Sequence, residues 1–195
     1  MPFNEGPFWL WNVFAAISDD GGTTWRAGRN APGALVQTPA GDRSQVNEVQ
    51  MAETSSGSIV LDSRQFAGAK VRKFAESRDG GETWSTIRDA PDLPDPSCMG
   101  SILRFSFGAG RDNVLLHSGP DARDRRNGTL YASFDDGATW RAKVVIDPGE
   151  FAYSVLAKLK DGSIGCLYET DGYKRIVFAR LPNAADRLRD QVFHR

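Results

Sequence analysis

The chain has 195 residues, with 24 lysines and arginines against 25 aspartates and glutamates and a formal net charge of −1. That length suits one domain with a substantial core, and the balanced charge excludes the basic surface that nucleic acid or an anionic membrane attracts. No apolar run reaches transmembrane length and Met1 opens no charged-then-apolar leader, so neither a membrane segment nor a signal peptide is expected.

In chain order, the apolar stretch from Phe8 to Ile17 reads as a strand running into the turn Ser18, Asp20, Gly22, Thr24, Trp25. Asn47 to Glu53, Ser58 to Asp62 and Val71 to Ser77 then form a three-strand meander that ends in the same turn, now Ser77, Asp79, Gly81, Thr83, Trp84. Met99 to Phe105, Asn113 to His117 and Thr129 to Ser133 repeat the plan into a third copy, Ser133, Asp135, Gly137, Thr139, Trp140, followed by a short run from Lys143 to Ile146. Tyr153 to Lys160, Ser163 to Tyr168 and Arg175 to Ala179 begin it again, with Asp161-Gly162 as a hairpin signal. Helical periodicity enters only at Ala184 to Val192.

The repeated pattern Ser-x-Asp-x-Gly-x-Thr-Trp is a turn closed by its own side chains. Asp accepts from amides ahead of it, Gly takes positive φ, the hydroxyls bond the same loop, and Trp anchors it. These aspartates are therefore read as turn formers that staple outer strands, and not as metal ligands or catalytic groups. Cys98 and Cys166 are expected as buried free thiols, and His117 and His194 are too isolated for a metal cluster. Asn127-Gly128-Thr129 is a glycosylation triplet beside an arginine-rich loop.

Four-stranded meanders at this interval are blades of a β-propeller. The expectation is an all-β chain of about three blades plus part of a fourth, the opening blade lacking its first strands. A ring needs more blades than this, and an open half-ring leaves a strand edge exposed. Residues 1–195 thus read as the C-terminal part of one propeller domain, either a piece of a longer gene product or a domain that must pair with something, the missing N-terminal blades being one such partner.

The three turns, at residues 18–25, 77–84 and 133–140, resemble the Asp-boxes of the exo-α-sialidases (neuraminidases), BNR-repeat enzymes that remove terminal sialic acid on a six-bladed propeller. The segments between them carry the resemblance further. Val46-Asn47-Glu48-Val49-Gln50 and the strand from Gly57 to Arg64 are similar to the family's Asn-Glu-x-Gln strand and its successor. The resemblance makes Glu48 the base that activates the nucleophile and Arg64 the second arginine of a triad gripping the substrate carboxylate. Arg125-Arg126-Asn127-Gly128-Thr129-Leu130 resembles the strand of the third arginine, placed on Arg125 with Arg126 as the neighbour that could replace it. Tyr153-Ser154-Val155-Leu156 looks like the nucleophile strand, with Tyr153 as nucleophile. The following strand ends at Glu169, the carboxylate that orients the first arginine.

What the resemblance implies is a retaining sialidase acting on sialylated glycoproteins, glycolipids or oligosaccharides, with no cofactor and no metal. The chemistry accounts for the residue types. Sialic acid bears a carboxylate on its anomeric carbon, so a neutral tyrosine relayed to glutamate avoids the like-charge approach of a carboxylate nucleophile. Arginine forks bind a carboxylate bidentately and keep their charge. The family's first triad arginine and its aspartic acid/base find no counterpart here, which implies little or no turnover by the chain as it stands. The alternative is a non-catalytic propeller segment that binds a glycan or a protein, and trans-sialidation uses the same residue types.

Overall fold

The computed structural model describes residues 1–193; His194 lies outside the described residues. The strands are β1 (Pro2–Glu5), β2 (Asn12–Ile17), β3 (Arg26–Ala27), β4 (Leu35–Thr38), β5 (Gly41–Ser44), β6 (Val46–Glu53), β7 (Ile59–Gln65) and β8 (Val71–Ser77). They continue as β9 (Arg88–Pro94), β10 (Ser101–Ser106), β11 (Val114–Pro120), β12 (Arg126–Ser133), β13 (Ala142–Glu150), β14 (Ser154–Lys158), β15 (Ile164–Thr170) and β16 (Arg175–Leu181), before one helix, α1 (Ala184–Phe193). The fold is all-β apart from α1 and a single 3-10 turn at Gly110–Asp112.

All pairings are antiparallel, in the sheets β1-β2-β3, β6-β7-β8-β9, β10-β11-β12-β13 and β14-β15-β16, with β4-β5 a separate hairpin. Strand β6 packs against β1 and β10, and β10 against β14, so the leading strands of successive sheets lie side by side. Apolar clusters fill the spaces between sheets. Leu61, Ala75 and Trp84 meet Val13 and Ala15 of the preceding sheet, and Phe74 and Val60 meet Leu115, Tyr131 and Trp140 of the next. Leu116, Leu130 and Ala132 join Leu156, Cys166 and Tyr168, closed at one end by Leu188 of α1. No described helix is long and apolar enough to cross a membrane.

Two expectations are corrected at the N-terminus. The opening sheet does not begin at Phe8, because Pro2–Glu5 pairs with β2 as an earlier strand. The segment from Phe8 to Trp11 is also not strand, and β2 starts only at Asn12. Trp9 sits at φ 78, and Ser44 ties this loop down by donating its amide to Trp9 and its hydroxyl to Trp11. A left-handed residue in mid-run ends any strand that alternation alone would predict.

The three repeated turns are built as their residue types require. In the central one, Ser77 Oγ donates to Asp79 (2.8 Å) and accepts from Gly81 N (2.8 Å), while Asp79 accepts from Thr83 N (2.9 Å) and Thr83 Oγ1 (2.5 Å). Asp20 and Asp135 receive the equivalent Thr24 and Thr139 bonds. Those hydrogen bonds to the charged form, led by the threonine hydroxyl, hold Asp79 and Asp20 down at about 2. Gly81 (φ 97) also lets this turn approach β2 of the preceding sheet, since a Cβ there would lie 2.8 Å from Ala15 Cβ. Trp84 and Trp140 are buried between sheets, whereas Trp25, with no preceding sheet among the described residues, is 49% exposed.

Candidate active site

Strand direction decides what can meet. Each turn copy follows the last strand but one of its sheet, such as β8, and so lies at the end of the sheet opposite the β7-to-β8 connection. The end of β7, the start of β6, the β11-to-β12 and β15-to-β16 connections and the entry to β14 share that other end. The turns are therefore a strand length away from it, roughly 20 Å. Glu48, Arg64, Arg125, Tyr153 and Glu169 all fall at the end the turns avoid.

Glu48 and Arg64 face each other through an irregularity in the ladder. Val46 pairs with Gln65 and Val49 with Ser63, so Asn47 and Glu48 together oppose Arg64 alone. Such a β-bulge re-aims a side chain. Ser63 Oγ supports it, accepting from Asn47 N at 3.1 Å. The Arg64 guanidinium then donates from Nη1 to Glu48 Oε2 (2.8 Å) and to the Tyr153 hydroxyl (2.8 Å). Tyr153 Oη donates to Glu48 Oε1 at 2.5 Å, so three residues from two sheets close a ring of hydrogen bonds. Arg64 Nε is buried without a protein partner among the described residues.

Tyr153 is placed by the chain on both sides of it. Phe151 is buried, stacks on Tyr168 at 4.6 Å and lies against Gly128, where any Cβ would overlap its ring. The amide of Phe151 donates to Arg125 O (2.9 Å), and Tyr153 O accepts from Glu169 N (3.0 Å). The same short segment thus fixes the backbone of the tyrosine, an arginine and a glutamate.

Arg125 stands over the opposite side of the tyrosine, its Cζ 5.3 Å from the Tyr153 ring centroid and 5.7 Å from that of Tyr173. It donates from Nη1 to Tyr173 Oη and from Nη2 to Ser97 O, both at 2.8 Å. Its neighbour Arg126 is turned out, 65% exposed and paired with Asp124. Glu169 lines a shallow cavity of about 270 Å³ together with Gln50, Met99 and Tyr153. No arginine and no aspartate lines that cavity.

The Tyr153 phenol is pushed up to about 12, first by burial and then by its hydrogen bond to, and the charge of, Glu48, while Arg64 and Arg125 pull it down. It is a proton donor at neutral pH, with Glu48 as the acceptor. A folded value above the unfolded one near 10 means that this tyrosine's contribution to stability is present below about pH 10 and is lost as pH rises through about 12. In an alkaline absorbance titration, read as the difference between the chain and Tyr153→Phe, this phenol is expected to ionise near pH 12. The Glu48→Gln variant, relieved of the neighbouring negative charge, is expected to titrate lower. An unchanged midpoint would show that Glu48 does not act on the phenol.

Other residue clusters stay outside this site. Cys98 and Cys166 are free and buried, their thiols raised to about 12 chiefly by burial, which leaves them unreactive. His117 pairs with buried Asp62 (2.8 Å), and no group of three or more potential metal ligands occurs among the described residues. Tyr173 and Ser97 were not singled out by the sequence reading. Tyr173 follows an Asp171-Gly172 turn with its own φ at 66, and Ser97 sits at φ 61, so neither carries a strand-type signal.

Comparison with known proteins supplies the relatives of this arrangement. The BNR repeat-like domain family matches residues 4–166. The sialidase of Micromonospora viridifaciens is 40% identical over 160 residues, covering 80% of this chain and 23% of that protein. Among solved structures, a Hadza microbial sialidase superposes with a TM-score of 0.70 at 30% identity, over 89% of this chain and 33% of its own. The NanB sialidase of Streptococcus pneumoniae gives a TM-score of 0.71 at 26% identity, over 89% and 28%. The chain spans less than half the length of these relatives.

Proposed function

The chain belongs to the sialidase family of BNR-repeat proteins, and from that premise we propose that its site handles the anomeric carbon and carboxylate of a terminal sialic acid in a retaining, tyrosine-based glycoside hydrolysis. The observation that carries this reading is the closed set Tyr153–Glu48–Arg64, with the Arg125 guanidinium over the ring of the same tyrosine.

In this mechanism the substrate carboxylate lies between Arg64 and Arg125, whose donors include the unpaired Arg64 Nε. Tyr153 Oη bonds to the anomeric carbon as the glycosidic C–O bond breaks, the phenol proton passes to Glu48 Oε1, and the aglycone departs as its anion and takes a proton from solvent water. At rest a phenol of such high pKa is a poor nucleophile, so proton transfer accompanies attack. Water then bonds to C2 as the Tyr153–C2 bond breaks, releasing sialic acid; the proton on Glu48 returns to the phenolate, and the proton lost by the water passes to solvent, balancing the one taken by the aglycone. Glu169 is the carboxylate reserved for a further cationic side chain beside the sugar. In keeping with this reading, the meander sheets are successive blades of a partial six-bladed propeller, residues 1–195 forming one sialidase-like domain. The substrates are sialylated glycoproteins, glycolipids or oligosaccharides.

Calorimetric titration with N-acetylneuraminic acid and, separately, galactose tests the site. The acid is expected to bind and the neutral sugar not to. Arg125→Ala is expected to weaken the acid's binding by roughly 10- to 100-fold, the loss of one charge-assisted contact of about 1.5–3 kcal/mol. Equal binding of both sugars, or an unaffected Arg125→Ala variant, overturns the carboxylate role.

A further inference from the structure

Arg64 and Arg125 come from different sheets, yet both are tied to one buried carboxylate. Asp95, 1% exposed, directly follows β9. Its Oδ2 accepts from Gln65 N, the amide directly after Arg64, at 2.7 Å. Its Oδ1 accepts from Cys98 N at 2.8 Å and so closes the turn 95–98. Ser97 lies inside that turn in the left-handed region, and its carbonyl is the acceptor for Arg125 Nη2. A further bond crosses the same gap, from Gln65 Nε2 to Ser97 Oγ at 2.6 Å.

The carboxylate is in turn held from behind. Arg72, 2% exposed, donates to Asp95 Oδ2 (3.2 Å) and to Cys98 O (2.8 Å) from Nη1, and to Asp62 from Nε (2.6 Å). His117 completes the chain on Asp62. A buried ion network costs more in desolvation than replacement by apolar side chains and so adds little to stability by itself. What it supplies here is geometry, fixing the backbone beside Arg64 at Gln65 and the 95–98 turn whose Ser97 carbonyl holds the Arg125 side chain.

We propose that Asp95 is a positioning residue that sets the distance and orientation between Arg64 and Arg125, holding the two guanidinium groups ready for one substrate carboxylate. The inference rests on the sialic acid reading of the site but is testable apart from it. The full chain, Asp95→Asn and Ser97→Ala are compared by calorimetry with N-acetylneuraminic acid and by the NMR resonances of the Arg64 and Arg125 Nε–H groups in the free protein. Asp79→Ala, in a turn at the far end of the sheet, serves as the control for simple destabilisation.

Asp95→Asn is expected to weaken binding at least tenfold and to shift both resonances, while Asp79→Ala lowers the melting temperature and moves neither. Ser97→Ala leaves the buried ions in place, is expected to weaken binding several-fold, and decides the matter if Asp95→Asn does not fold. Binding within twofold of the parent with unmoved resonances overturns the proposal. If the parent chain does not bind sialic acid, the carboxylate reading of the site falls, and the resonances alone judge Asp95: shifted together they uphold the coupling, unmoved they refute it.

Discussion

Incubated with a 2,3-difluorinated sialic acid, the chain is expected to gain a single sialyl group on the peptide that carries Tyr153, and the Tyr153→Phe variant none. The reagent suits this site because fluoride leaves the anomeric carbon without being protonated, and the second fluorine slows breakdown of the product by disfavouring positive charge at C2. The bond formed is Tyr153 Oη to C2, the bond broken is C2 to fluorine, and the phenol proton goes to Glu48, 2.5 Å away in the resting site. Glu48→Gln retains a hydrogen-bond acceptor of the same shape but a far weaker base, so labelling is expected to slow by about 100- to 10,000-fold, the usual worth of a positioned base. Mass spectrometry of the digested protein reads the result. A parent chain that binds sialic acid yet takes no label would establish the glycan-binding alternative in place of catalysis. A label that persists in Tyr153→Phe would place the nucleophile elsewhere.

What the sequence disclosed about this site follows from the range of the interactions involved. The turns at 18–25, 77–84 and 133–140 were legible because the hydrogen bonds by which their Ser, Asp and Thr residues close each loop span four residues or fewer. Strand β8 was legible to the residue, since alternation and a terminal turn define it locally. Strand β1 was not, because its four residues are all exposed and carry no apolar pattern. Glu48 and Arg64 could be named from their likeness to a family strand, but the bulge that turns one toward the other depends on pairing across sixteen positions.

The different surroundings of Arg125 and Arg126 were not legible locally, as both are arginines in one loop: Arg125 is held by Ser97, 28 positions away, and Arg126 by Asp124. Ser97 and Asp95 left no local trace. Arg72 did leave one, as a charged residue inside the otherwise strand-like run of β8, and in the structure that charge is fully buried against Asp62 and Asp95. A cation where alternation calls for an apolar side chain is thus a usable sign of a buried network.

A second large effect is expected in the dependence on leaving group. In Tyr153's surroundings the groups bonded to the phenol are Glu48 and Arg64, and the adjoining cavity is lined by Glu169 with no aspartate. In the proposed mechanism Glu48 takes the phenol proton and Arg64 is bonded to both Glu48 and the phenol, so neither is placed to protonate a departing sugar oxygen in the same step. An aryl leaving group, acidic enough to depart as its anion, does not need that proton, whereas an alkyl or sugar alcohol does. The kcat/KM of this chain for an aryl sialoside is therefore expected to exceed that for sialyllactose by about 100- to 10,000-fold, the span of the missing general acid contribution. Both activities are expected to vanish together in Tyr153→Phe, because the nucleophile serves either substrate. Comparable rates on the two substrates would mean that an acid reaches the glycosidic oxygen, and Glu169, the other carboxylate lining the cavity beside Tyr153, would be the first group to replace, as Glu169→Gln, in search of it.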